Sequence, residues 1–141
     1  MSGPKHSLLT TTDLDTLIKN LSPKTLPATY VFCTIPGAAY GAMPHTHPLA
    51  CFVEPEGLTL VLTQESADLH DLPYQGTFHC ISLQVHSSLD AVGLTATVAS
   101  ELATHGISAN VIAGFYHDHV FVSSMHSDHA LSLLESMSTR R

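Results

Sequence analysis

The sequence predicts an α+β fold, an antiparallel sheet with helices on one face, and three observations predict it. From residue 78 the elements read strand, helix, strand, strand, helix. The hydrophobic period switches from two in the strands to 3.6 in the helices. Helix-start patterns of the form [ST]-x-x-[DE] stand at Thr12–Asp15 and at Ser87–Asp90. Such an order is ferredoxin-like.

Taken along the chain, Leu14, Leu17, Ile18 and Leu21 mark a short amphipathic helix that stops before Pro23. Tyr30–Ile35 is a β-branched and aromatic run closed by Pro36-Gly37, a strand. Residues 36–49 are rich in Pro, Gly and Ala and form a loop. Cys51–Val53 and Leu58–Leu62 are strands on either side of a turn at Glu54-Pro55-Glu56-Gly57, and Glu65–Leu72 is a helical turn. Phe78–Val85 alternates as a strand. A helix then starts at Ser87–Asp90, with Leu89, Val92, Ala96, Ala99 and Ala103 as its inward stripe, joined by Leu102, so that alanine allows close approach to the sheet. Gly106 supplies its left-handed stop. Ile107–Gly114 and Val120–Ser123 pair antiparallel, and a last helix faces inward through Ala130, Leu131, Leu134 and Met137. The chain divides as an extension with a short helix (1–29), a degenerate half (30–76) and a clearer second half (77–141).

Composition narrows the function classes. The 141 residues are 44% hydrophobic and 12% charged, enough apolar material for a packed core rather than a disordered chain. A formal charge of −7 opposes nucleic-acid binding, which requires a cationic face. No apolar run reaches membrane-spanning length, and the N-terminus lacks the form of a signal peptide. Cys33, Cys51 and Cys80 are odd in number and flanked by apolar residues, and read as buried reduced thiols of a cytoplasmic protein. Eleven histidines against five Lys plus Arg leave the charge between pH 5 and 8 largely to histidine.

The stretch His86–Val122 resembles the ACT domain, with Gly93, Leu102, Gly106 and Ile107 matching its helix pattern and Asn110-Val111-Ile112 the strand that follows. The run Ser108–Val122, with His117-Asp118-His119, is similar to small stand-alone tandem-ACT proteins, akin to aspartokinase regulatory regions and cellular arginine sensors. The resemblance is strong over 78–137 and weaker over 30–73, chiefly Val53–Val61. It implies two interlaced ACT-like halves. An ACT unit is βαββαβ, yet only four residues follow Met137, so Tyr30–Ile35 is expected to supply the closing strand. The first half lacks a long helix between its first two strands.

The resemblance also implies a non-enzymatic regulatory sensor that holds a free amino acid where the first strand runs into the first helix. There the helix N-terminus at His86-Ser87-Ser88-Leu89, beside Gly93, faces the ligand carboxylate. Asp118 and Glu54 are candidates for its ammonium, and Asn110 offers a donor and an acceptor. Ser87 and Asp90 serve equally well as a plain helix cap, and Asn110 as a plain strand end. No cofactor and no metal is expected, and the partners are a small metabolite and a second copy or a regulated protein.

The alternative is a small metabolite enzyme using the His117-Asp118-His119 turn for acid–base or metal-assisted chemistry. His45-Thr46-His47 is a second H-x-H triplet, and His126 and His129 sit three apart near a helix start. Both triplets fall in loops or turns, where two ligands are not preorganised, so the metal reading yields. His6, His70, His79 and His105 have no partner in sequence. No nucleophile elbow, phosphate loop or zinc-protease motif is present, and Cys80 reads as an inert buried thiol.

Overall fold

The computed structural model describes residues 13–140. The chain runs α1 (Leu14–Lys19), β1 (Pro23–Pro36), β2 (Ala50–Glu54), β3 (Gly57–Thr63), α2 (Gln64–Leu69), β4 (Phe78–Leu83), α3 (Leu94–Thr104), β5 (Asn110–Ala113), β6 (Asp118–Ser123) and α4 (Ser127–Thr139). Six strands hydrogen-bond in the order β2-β3-β1-β4-β6-β5. Two compact units share them: the chain up to Leu26 with Cys80 onward, and Pro27–His79. Both divisions fall inside strands, β1 and β4.

In the larger unit, α1 starts where Asp13 accepts the Thr16 N–H at 3.0 Å and also the Thr16 hydroxyl. Thr12 of the expected capping box lies outside the described residues. Leu17, Ile18 and Leu21 are fully buried among Ile81, Leu83 and Leu134. The Ser138 hydroxyl donates to the Ile18 carbonyl at 2.9 Å and ties α4 to α1. The inward residues Ala130, Leu134 and Met137 of α4 are those the periodicity marks.

The closing strand of this unit differs from expectation. The Gln84 N–H donates to the Ser22 carbonyl and the Val85 N–H to the Leu21 carbonyl, at 3.1 and 3.3 Å. Continued antiparallel, these bonds set the first residues of β1, not Tyr30–Ile35, against Cys80–Leu83. Tyr30–Ile35, further along the same strand, falls in the smaller unit, where it pairs with Leu58–Thr63 of β3 and Phe32 packs edge-on to Phe78 of β4 at 5.2 Å. Pro23 opens the strand rather than merely ending a helix, since a strand's first residue tolerates proline. Pro27, which has no N–H to give a ladder, stands where the chain passes from one unit to the other.

Helix α3 is a second correction. Ser87–Asp90 begins no helix: α3 starts at Leu94, after Gly93 at φ +98°. Its buried residues are Leu94, Val98 and Leu102, whereas Leu89 and Val92 are exposed and Ala96 and Ala103 face outward. The buried face is the i, i+4, i+8 stripe Leu94, Val98 and Leu102, so of the expected stripe only Leu102 faces the core. The stop is as expected: Gly106 at φ +76° lets the Ile107 N–H reach the Leu102 carbonyl at 2.9 Å.

The smaller unit is built on the β2–β3 hairpin, with Ala50 opposite Val61 and Glu54 opposite Gly57. A Cβ at Gly57 would collide with the Ile35 carbonyl oxygen, so glycine is required where the hairpin meets β1. Thr63 caps α2 by accepting the Ser66 N–H at 3.1 Å. Val31, Cys33, Leu58, Leu60, Leu62 and Ala67 form the core. Cys33 and Cys80 are buried as expected, but Cys51 is exposed. It lies on β2 at the sheet's edge, in the half that has only a 3-10 turn, Pro44–Thr46, and no α-helix between β1 and β2. Burial raises the Cys33 thiol and pushes Cys80 up to about 12, which leaves both protonated and unreactive. Among the described residues, no helix is long and apolar enough to cross a membrane.

Candidate functional site

The loop between β4 and α3, residues 84–93, meets the turn between β5 and β6. The His86 ring centre lies 5.1 Å from that of His117 and 5.3 Å from that of Tyr116, and Phe115 packs edge-on to Tyr116 at 5.0 Å. The turn closes through the Gly114 N–H to the His117 carbonyl at 2.9 Å. A Cβ on Gly114 would come within 3.2 Å of the His119 ring, so glycine gives that ring its room. His119 and Asp118 belong to β6 rather than to the turn, and His119 Nδ1 lies 3.3 Å from the Ile112 carbonyl oxygen.

Charge in this group is restrained. Burial, with His86 and His119 close by, holds the His117 imidazole below its ordinary value, and a hydrogen bond to the Gln84 backbone opposes the shift. Burial raises the Asp118 carboxyl, partly offset by His119. His117 therefore stays neutral at pH 7 and offers one donor and one acceptor.

Loop residues expected at the site divide in role. Ser87 is buried, and Ser88 Oγ accepts the Asp90 N–H at 3.0 Å, so neither Ser87 nor Asp90 caps a helix. No side chain caps α3 after Gly93, so its first-turn N–H groups share no side-chain capping oxygen. The helix N-terminus therefore lies at Gly93–Leu94 and not at His86–Leu89. Leu89 and Val92 form an exposed apolar rim, 67% and 82% accessible. Asn110 is exposed at the start of β5, opposite Phe121. Glu54 belongs to the other unit, where it accepts the Thr59 hydroxyl. His86, the loop and His117–His119 are brought together; Glu54 is not part of that loop.

Sequence reasoning missed Phe115 and Tyr116, although three successive rings in a turn, Phe115-Tyr116-His117, were a usable signal. It also missed two histidine pairs, His45 with His70 at 4.8 Å and His105 with His129 at 5.6 Å, whose long separations carry no local pattern. Among the described residues, no three His, Cys, Asp or Glu side chains are placed to hold a metal ion.

A ferredoxin-like sheet whose first strand enters its helix through an uncapped, half-apolar loop defines a class of small-molecule-binding modules. The ACT-domain model matches residues 10–79 and a second ACT-domain model residues 76–136, and the chain belongs to the ACT-domain family. Domains of this family bind small molecules, typically amino acids, in regulatory roles. The chain is 48% identical to a Vibrio cholerae protein of unknown function described as a possible transport protein, over 89% of this chain and 95% of that one, with a TM-score of 0.81. An Agrobacterium tumefaciens protein is 23% identical over 82% of this chain and 87% of its own, with a TM-score of 0.67. The regulatory subunit of aspartate kinase from Thermus thermophilus shares the fold at 9% identity, over 82% and 95%, with a TM-score of 0.56. The chain matches no curated protein in sequence.

Proposed function

We propose that this protein is a non-catalytic sensor that binds a free amino acid or a close relative at the 84–93 loop. The uncapped start of α3 is the observation that carries the reading. Unshared N–H groups and the helix dipole there suit a carboxylate. His86, Ser87, Ser88, Leu89 and Gly93 form the loop around it; Asp118 is the candidate partner of the ammonium, and Asn110 a further polar group. Glu54 would join only through a rearrangement or a second copy. Ligand binding alters the packing of the loop, and a second copy or a regulated protein in the cytoplasm reads the change. The enzyme alternative at His117-Asp118-His119 finds no support in the family matches.

Isothermal titration of the full chain against the twenty amino acids tests this reading. Saturable heat with at least one of them, abolished or strongly weakened in His86→Ala, is the expected result. Absence of binding by all twenty at millimolar concentration would overturn it.

A further inference from the structure

The smaller unit carries a feature that the family's binding loop does not explain. Between β1 and β2 the chain runs as a loop holding a single 3-10 turn, Pro44–Thr46, where a complete unit has an α-helix. That loop is firmly built. Thr46, 2% exposed, donates its hydroxyl to the Met43 carbonyl at 2.7 Å, and its own carbonyl accepts the Ser66 hydroxyl at 2.9 Å. Met43 and His47 are held in the left-handed region at φ +59° and +52°, a conformation that non-glycine residues adopt only where their surroundings enforce it.

A loop covers less sheet than a helix does. Cys51 lies opposite Leu60 and Val53 opposite Leu58, so these four share one face. The β3 pair is buried, whereas Cys51 and Val53 are exposed. Between loop and strands a pocket of about 430 Å³ remains, walled by Tyr40, Ala42 and His47 and floored by Cys51, Leu58 and Leu60. Roughly 300–1,000 Å³ is the usual range for small-molecule sites. No Asp, Glu, Lys or Arg lines it.

We propose that this pocket binds a small uncharged aromatic molecule with a polar edge, such as a neutral heterocycle. An ionised ligand would leave its charge facing an apolar wall without a counter-charge. A neutral ring instead covers the exposed apolar surface of Tyr40, Leu49 and Cys51 above the buried Leu58 and Leu60, while the Tyr40 hydroxyl and the His47 imidazole of the same lining offer hydrogen-bond partners. The site lies wholly in the Pro27–His79 unit, so it stands or falls separately from the amino-acid site.

Cys51 is the built-in reporter, because Cys33 and Cys80 are buried. The full chain is treated with iodoacetamide, and alkylation of Cys51 is followed by peptide mass, with indole as the neutral probe and benzoate as an anion of similar size. Indole at ten times its dissociation constant is expected to slow Cys51 alkylation about tenfold, in a saturable manner. Benzoate is expected to leave the rate unchanged. Ala42→Phe, which fills the pocket, abolishes the protection; should that variant not fold, Tyr40→Ala at an exposed wall position weakens it instead. An alkylation rate indifferent to indole, equal protection by benzoate, or full protection retained in a folded Ala42→Phe or in Tyr40→Ala would each overturn the proposal.

Discussion

His117 and Asp118 are neighbours in sequence whose proton equilibria pull stability in opposite directions. The fold holds His117 below its ordinary value, so the unfolded chain binds the proton more readily. The stability this contributes is fully present above pH 6.5 and is lost as pH falls below it through the lowered value His117 has in the fold. Asp118 is held above its ordinary value, so the fold gains relative to the unfolded chain as pH falls toward 3.8. Urea unfolding from pH 7.5 downward is therefore expected to show stability falling first, with His117→Asn flattening that fall. Asp118→Asn is expected to raise the urea midpoint at pH 7, because the amide escapes the cost of a half-buried charge. Gly57 gives a steric prediction: Gly57→Ala places a methyl group against the Ile35 carbonyl and costs about 2–4 kcal/mol in unfolding free energy. Gly106 was legible as a helix stop from its sequence context. Gly93 was equally visible as a glycine, but the Ser87–Asp90 pattern competed with it for the helix start.

At the scale of elements, α3 shows how local signals mislead. Ser87, Ser88 and Asp90 have capping chemistry, and that chemistry is used: Ser88 accepts the Asp90 N–H, but in a turn rather than a helix. The helix begins at Leu94, and the faces rotate accordingly. Thermal or chemical unfolding should separate them. Leu102→Ala, on the buried face, is expected to cost about 2–5 kcal/mol. Ala103→Lys, one residue on and exposed, is expected to stay within about 0.5 kcal/mol of the parent. The reverse ranking would restore the alanine-faced helix. Elements with strong periodicity and one plausible start, such as α4, and a hairpin with a compact turn, β2–β3, were readable from the sequence. The candidate site was readable only in part. Its loop residues are contiguous, but the approach of His117 and Tyr116 to His86 depends on strand order.

At the scale of the whole molecule, β1 and β4 each serve both units. Residues 17–21 are therefore part of a core, since Leu17, Ile18 and Leu21 are fully buried with Ile81, Leu83 and Leu134. Deleting residues 1–26 removes α1 and the start of β1 together. Loss of the cooperative unfolding transition of the Cys80–Arg141 region, followed by amide exchange, is the expected result, and native protection in that region would contradict it. Fold class, most strand and helix identities and the lack of a long helix between β1 and β2 were legible along the chain, because these rest on period, caps and glycines within a few residues of one another, and the family was legible from the Gly93, Leu102, Gly106 and Ile107 pattern. Only the tertiary structure decided which stretch closes the larger unit, where α3 begins, which cysteine is exposed and which histidines meet. Those outcomes depend on pairings between residues tens of positions apart, and side-chain pattern along a strand records that it pairs but not with which partner.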